Sequence, residues 1–189
     1  MKQFIKSIFI LLLVATNQQA NAQLNADNMP KKWGIEAELI QPFLPNVGII
    51  RVVATRTVYA PVNDFKGDLL IGAYIRPNVK HDVVEKINEY MLVLGYRQYF
   101  WKGLHAEARS NMGYAWGTKN LIDGKDYNKP TWFWEANAGY KFDFAKKQNS
   151  NLYAIAQFGI LSKISADIGP RGGKSDTFLQ GNLVVGINF

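Results

Sequence analysis

From Gly103 to Trp116 the chain alternates without a slip. Leu104, Ala106, Ala108, Ser110, Met112, Tyr114 and Trp116 fall on one side of an extended backbone, and His105, Glu107, Arg109 and Asn111 on the other. Thr131 to Phe144 repeats the design, with Trp132, Trp134, Ala136, Ala138, Tyr140, Phe142 and Phe144 opposing Phe133, Glu135, Asn137, Gly139, Lys141 and Asp143. An amphipathic helix repeats its apolar face every three or four residues, so neither stretch can be one. A β-strand with one greasy and one polar face is what this period specifies.

Period two recurs along the chain and predicts about eight strands. Besides the two above they span Trp33–Gln41, Ile49–Ala60, Lys66–Arg76, Asn88–Trp101, Asn151–Ser162 and Phe178–Phe189. Within them Glu36 and Glu38 oppose Trp33 and Ile35, Arg76 opposes Ile75, and Glu89 and Arg97 oppose Tyr90 and Phe100. In Ile49–Ala60, Arg51 and Arg56 fall on opposite faces, which predicts a β-bulge or a misplaced boundary. Connections alternate in length. Pro61–Phe65, Lys102-Gly103 and Ala145–Ser150 are short, whereas Pro77–Ile87, Gly117–Pro130 and Lys163–Thr177 are longer and rich in Gly, Asp, Asn and Lys. Only Pro42–Gly48 is shorter than its place in the alternation calls for. An even number of antiparallel strands, joined in up-and-down order with both termini at one end, meets this pattern.

The first residues bear on compartment. Lys2 and Lys6 precede an apolar run from Ile8 to Ala15, and Ala20-Asn21-Ala22 is a small-x-small cleavage site. Residues 1–22 therefore read as a secretory signal peptide, followed by a short segment (23–32) and a single domain (33–189). The run is too short for a membrane-spanning helix, which needs about 20 apolar residues. Losing Lys2 and Lys6 lowers the formal charge from +7 to +5. Export and the lack of a basic, aromatic-interleaved motif argue against a nucleic-acid partner. The absence of cysteine excludes a disulfide scaffold and an acylated lipoprotein anchor.

Alternation alone does not say which face looks inward, since a soluble lipocalin-like carrier has the same period with its faces reversed. Charge type decides. Arg51, Arg56, Arg76, Arg97 and Arg109 sit in strands, as do Glu36, Glu38, Glu89, Glu107 and Glu135, while most Lys and Asp occupy loops or strand ends. Arg and Glu set among Gly and Asn suit a confined polar interior, where guanidinium forks pair with carboxylates. Glu36, Glu38, Arg76, Glu89, Arg97, His105, Glu107, Arg109, Glu135 and Lys141 are the expected interior network. Aromatics collect toward the two rims: Tyr90, Tyr114, Trp116, Trp132 and Trp134 at one, Phe100, Phe142, Phe144 and Phe189 at the other. Such belts suit the two interfaces of a bilayer. The expected fold is an all-β, up-and-down antiparallel transmembrane β-barrel.

Phe178–Phe189 adds a resemblance. Leu179, Gly181, Leu183, Val185, Ile187 and Phe189 share one face, and the chain closes on an aromatic with apolar Ile187 two before it and polar Asn182 further back. This resembles the C-terminal assembly signal of bacterial outer-membrane barrels, with Val184 standing where a glycine is common. Together with the strand pattern, the chain resembles the small barrels of the OmpA-transmembrane-domain and OmpX-like class of Gram-negative bacteria. That resemblance implies insertion by the outer-membrane assembly machinery through Ile187 and Phe189, and contact with outer-membrane lipids and lipopolysaccharide. It also implies a monomer whose interior is filled by side chains, the state expected of eight strands.

Some small outer-membrane barrels act on lipid A, so catalysis has to be weighed. The only histidines are His81, in a loop beside Asp82, and His105, which shares a face with Glu107 while Ser110 points the other way. No segment assembles a His-Ser-Glu arrangement, so His105 is expected to be a hydrogen-bonded member of the interior. There is no metal-ligand spacing and no cofactor motif. A non-enzymatic structural or surface-interaction barrel leads, with a lipid A-modifying enzyme and a small pore as alternatives.

Overall fold

The computed structural model describes residues 33–62, 65–146, 150–165 and 177–189. The expected signal peptide and the 23–32 segment lie outside them. Eight strands, β1 (Trp33–Glu38), β2 (Ile50–Val62), β3 (Phe65–Val79), β4 (Val84–Trp101), β5 (Leu104–Asn120), β6 (Tyr127–Lys146), β7 (Asn151–Ser165) and β8 (Thr177–Asn188), form a closed barrel in sequence order. Every neighbouring pair is antiparallel, and β1 closes on β8, where Trp33 and Phe189 exchange backbone hydrogen bonds of 3.1 and 2.9 Å.

The ladder is staggered. From Phe189 it passes through Trp33, Arg56, Leu69, Tyr96, Ala108, Ala136 and Ile160, and returns to β8 at Leu179, ten residues away. Closure with such an offset tilts the strands by roughly 40° to the axis. With a rise of about 3.3 Å per residue, Phe189 and Leu179 stand about 25 Å apart in height.

Hairpin chemistry explains the tight end. Lys102 and Gly103 both adopt positive φ, 43° and 100°, the combination a two-residue turn needs to match strand twist. Gly103 also lies against the Lys141 backbone, whose N–H donates to the Gly103 carbonyl at 3.0 Å, so a Cβ has no room there.

The structure revises several boundaries. Strands β3 to β6 outrun their expected ends, leaving connections of only 80–83 and 121–126 at the end away from the termini. The first connection, 39–49, is longer than expected and contains a short 3-10 turn at Gln41–Phe43. The bulge or misplaced boundary expected in Ile49–Ala60 does not fall between Arg51 and Arg56: β2 and β3 pair without a break from Ile50 to Thr57, a register shift follows between Thr57 and Tyr59, and the strand runs on to Val62. Arg51 faces the interior and Arg56 the exterior, as parity alone required.

Candidate functional site

Inward-facing side chains make the site. Glu36 and Glu38 lie two apart on β1 and Glu107 and Arg109 two apart on β5, so each pair shares the interior face. Register then sets Arg97 opposite Glu107 and Arg109 opposite Glu135. Arg97, wholly buried, is the hub of one layer. Its terminal nitrogens donate to both oxygens of Glu36 at 2.6 and 2.8 Å, and its Nε donates to Glu107 at 2.7 Å. The Tyr153 hydroxyl donates to Glu36 at 2.9 Å.

A second layer centres on Arg51, which donates to Glu38 at 2.5 Å and to Glu135 at 2.6 Å. Asn111 and Gln180 donate to Glu135 at 3.1 and 3.0 Å. Arg109 joins the layers, pairing with Glu107 through its Nε and with Glu38 at 3.2 Å. Four carboxylates and three guanidiniums thus form one connected, buried network. Charge-assisted bonds in a low-dielectric interior are strong, and so is the penalty for removing one partner.

Different side chains flank the two ends of the network. Toward the termini, Lys141 lies 3.6 Å from the centre of the Tyr153 ring, and Lys66 lies 4.5 Å from that of Tyr99. The expected Lys141 is buried, but its ion-pair partner is Asp143 at 3.8 Å, outside the Arg–Glu network. Toward the other end, Val53, Leu70, Tyr74, Met91, Val93 and Phe133 form an apolar layer. Beyond it Arg76, only partly buried, reaches Glu89 at 3.5 Å and donates to the carbonyls of Val47 and Asn46 in the first connection. Tyr74 donates to Glu89 at 3.1 Å. The gap bounded by Glu38, Arg51 and Arg109 has no room for a water molecule.

Close packing of this interior depends on small inward residues. Gly186 faces the Tyr153 ring, and a Cβ there would collide with it. Gly186→Val is expected to destabilise the fold by about 1–3 kcal/mol through overpacking. Gly181→Val, at an outward position with nothing within 4 Å, should leave the denaturant midpoint unchanged. Equal midpoints for the two variants would contradict the packing described.

His105 is buried, with Nδ1 3.0 Å from the Gly103 carbonyl and Nε2 3.3 Å from Gln157 Oε1. It reaches Glu107 only through Gln157, whose Nε2 lies 3.5 Å from that carboxylate. Ser110 is on the opposite side of the barrel wall, accepting a hydrogen bond from Trp132 Nε1 at 2.8 Å. His81, in the 80–83 connection, accepts from the Val83 N–H through Nδ1 at 3.2 Å. Burial, then the charges of Arg76 and Lys163, push its pKa below the ordinary imidazole value. No group of three or more potential metal ligands occurs among the described residues.

The exterior is the reverse of the interior. Tyr90, Tyr114, Trp116, Trp132 and Trp134 are exposed toward one end, Phe100, Phe142, Phe144 and Phe189 toward the other, with exposed Leu, Ile, Val and Ala between them and Tyr96 and Phe158 among these. Tyr90 and Trp116 meet edge to face at 5.5 Å. Sequence reasoning left Arg51 out of the interior set, although its parity with Val53 and Thr55 carried the signal. The inward phenols Tyr74, Tyr99 and Tyr153 and the amides Asn111, Gln157 and Gln180 were missed as partners.

Fold and site together define an eight-stranded barrel with an ionic network inside and an apolar outer wall. Comparison with protein-family models, with curated proteins and with solved structures finds no match to the chain.

Proposed function

We propose that this chain is a non-enzymatic integral outer-membrane barrel of a Gram-negative envelope, with a structural or surface-interaction role. One observation carries the reading: the outer wall is an apolar belt about 25 Å tall, bounded by two rings of aromatic side chains, while the charge is turned inward. That height and those rings match the hydrocarbon layer and its interfaces. A soluble protein rarely leaves more than a few hundred Å² of contiguous apolar surface in water, and here the belt runs round the barrel. No helix among the described residues is long and apolar enough to cross a membrane; in this reading the strands cross it.

In this reading the bilayer lipids, lipopolysaccharide included, are the barrel's surroundings. Ile187 and Phe189, at the β1–β8 seam, are the elements offered to the assembly machinery, and the barrel works as a monomer. The plugged interior favours a body that neither conducts nor carries solutes. Separation of His105 from Ser110 across the wall, and of His105 from direct carboxylate contact, favours a role without catalysis.

Gel mobility tests the proposal. Mature protein in mild detergent should migrate as a compact species when unboiled and more slowly after boiling, because a closed, internally bonded barrel resists detergent at room temperature. Identical migration, or a monomer that stays in plain buffer without detergent, would overturn it.

A further inference from the structure

Arg56 is the one charged side chain facing outward between the two aromatic rings among the described residues. Its register neighbours on the outer wall are Trp33 on β1 and Leu69 on β3, with Ala54 and Val58 next to it along β2. Its guanidinium lies 4.4 Å from the centre of the Trp33 ring. No carboxylate among the described residues pairs with it, and none accepts a hydrogen bond from it. The Trp33 indole N–H is likewise without a partner there. A bare guanidinium in an apolar wall is costly unless an anion meets it.

Height on the wall says where that anion comes from. Arg56 is two ladder steps from Phe189 and so stands just inside the ring of phenylalanines at the terminal end. At that level a long cationic side chain can reach the headgroups while its stem stays in hydrocarbon. Stacking on Trp33 covers one flat face of the guanidinium but uses none of its in-plane N–H donors. Those donors form the fork that matches two oxygens of a phosphate, and the indole N–H beside them supplies a further donor.

We propose that Arg56 and Trp33 hold the phosphodiester of a glycerophospholipid headgroup, seating one lipid beside the β1–β8 seam. This rests on the outer-membrane reading. In that reading the terminal end faces the periplasm, where the leaflet is glycerophospholipid, so lipid A phosphate is the disfavoured source. The lipid supplies the counter-charge that the chain leaves out on this face, while each interior guanidinium among the described residues meets at least one carboxylate.

Native mass spectrometry of barrels folded in vesicles of phosphatidylethanolamine and phosphatidylglycerol, then moved to mild detergent, tests the site. Heat-shifted gel mobility first establishes that each variant is folded and inserted. Wild-type barrel should retain one phospholipid, Arg56→Gln should retain about tenfold less, and Arg56→Lys should recover only part, because an ammonium lacks the fork. Trp33→Leu should weaken retention with the charge intact. Folded Arg56→Gln retaining as much phospholipid as wild type overturns the site, as does equal retention of a diacylglycerol with the same chains. Preferential retention of lipid A overturns the assignment to a glycerophospholipid. Failure of the wild type to insert at all overturns the membrane reading, and the site with it.

Discussion

Arg97→Met is expected to destabilise the folded barrel by about 3–5 kcal/mol, the cost of stranding buried charges by removing their partner. Arg97 is wholly buried and is the guanidinium that engages both Glu36 and Glu107. Without it Glu36 keeps only the Tyr153 hydroxyl, and Glu107 keeps Arg109. Both carboxylates are buried, so each loses its partner in a site that bulk solvent barely reaches. Replacing the whole triad tells a different story. Glu36→Gln/Arg97→Met/Glu107→Gln should recover much of the loss, because a buried ion cluster and a neutral packed one differ little in net stability. Urea midpoints of vesicle-refolded protein, read by tryptophan fluorescence, measure both. A single-variant effect within about 0.5 kcal/mol, ordinary for a surface site, would mean that the cluster is not desolvated.

Ile71→Arg should cost about 2–4 kcal/mol, the penalty for an arginine on the lipid face near the bilayer midplane. Ile71 is 53% exposed, in the middle of β3 between Ala54 and Leu94. In water such a position accepts arginine almost freely, so the substitution distinguishes lipid from solvent around the barrel. Leu121→Arg is the control: Leu121 is 66% exposed, at the start of the 121–126 connection beyond the aromatic ring, and should change stability by less than about 0.5 kcal/mol. Folding yield into vesicles should fall for the first variant and hold for the second. If both behave alike, the belt is not in hydrocarbon.

Much of the barrel was legible because period two is a local property. Eight strands and most of the inward set from Glu36 to Glu135 follow from which residues sit two apart. Strand ends were less legible. Backbone pairing carries β4 and β5 on through Lys86 opposite Thr118, where the side chains have turned polar and resemble loop. The interior partnerships were out of reach for a different reason. Tyr153 meets Glu36 across 117 residues of sequence, and Gln41 meets Asn182 across 141; both depend on the ladder's offset, which no local pattern encodes. Arg56 misled for a third reason. Strand arginines suited an interior by residue type, so its outward parity predicted a bulge or a misplaced boundary instead of an exterior cation.

At six residues β1 is the shortest strand of the eight, yet it brings Glu36 and Glu38 to all three buried guanidiniums, directly to Arg51, Arg97 and Arg109. A half-zipped intermediate lacking this strand holds three positive groups against the two carboxylates of Glu107 and Glu135. Docking β1 is therefore an electrostatic latch, holding the first strand by charge to β2, β4 and β5 across the interior where its own backbone pairing is brief. A sheet that stays open keeps repelling cations at its heart, so the ring, once shut, has little incentive to gape.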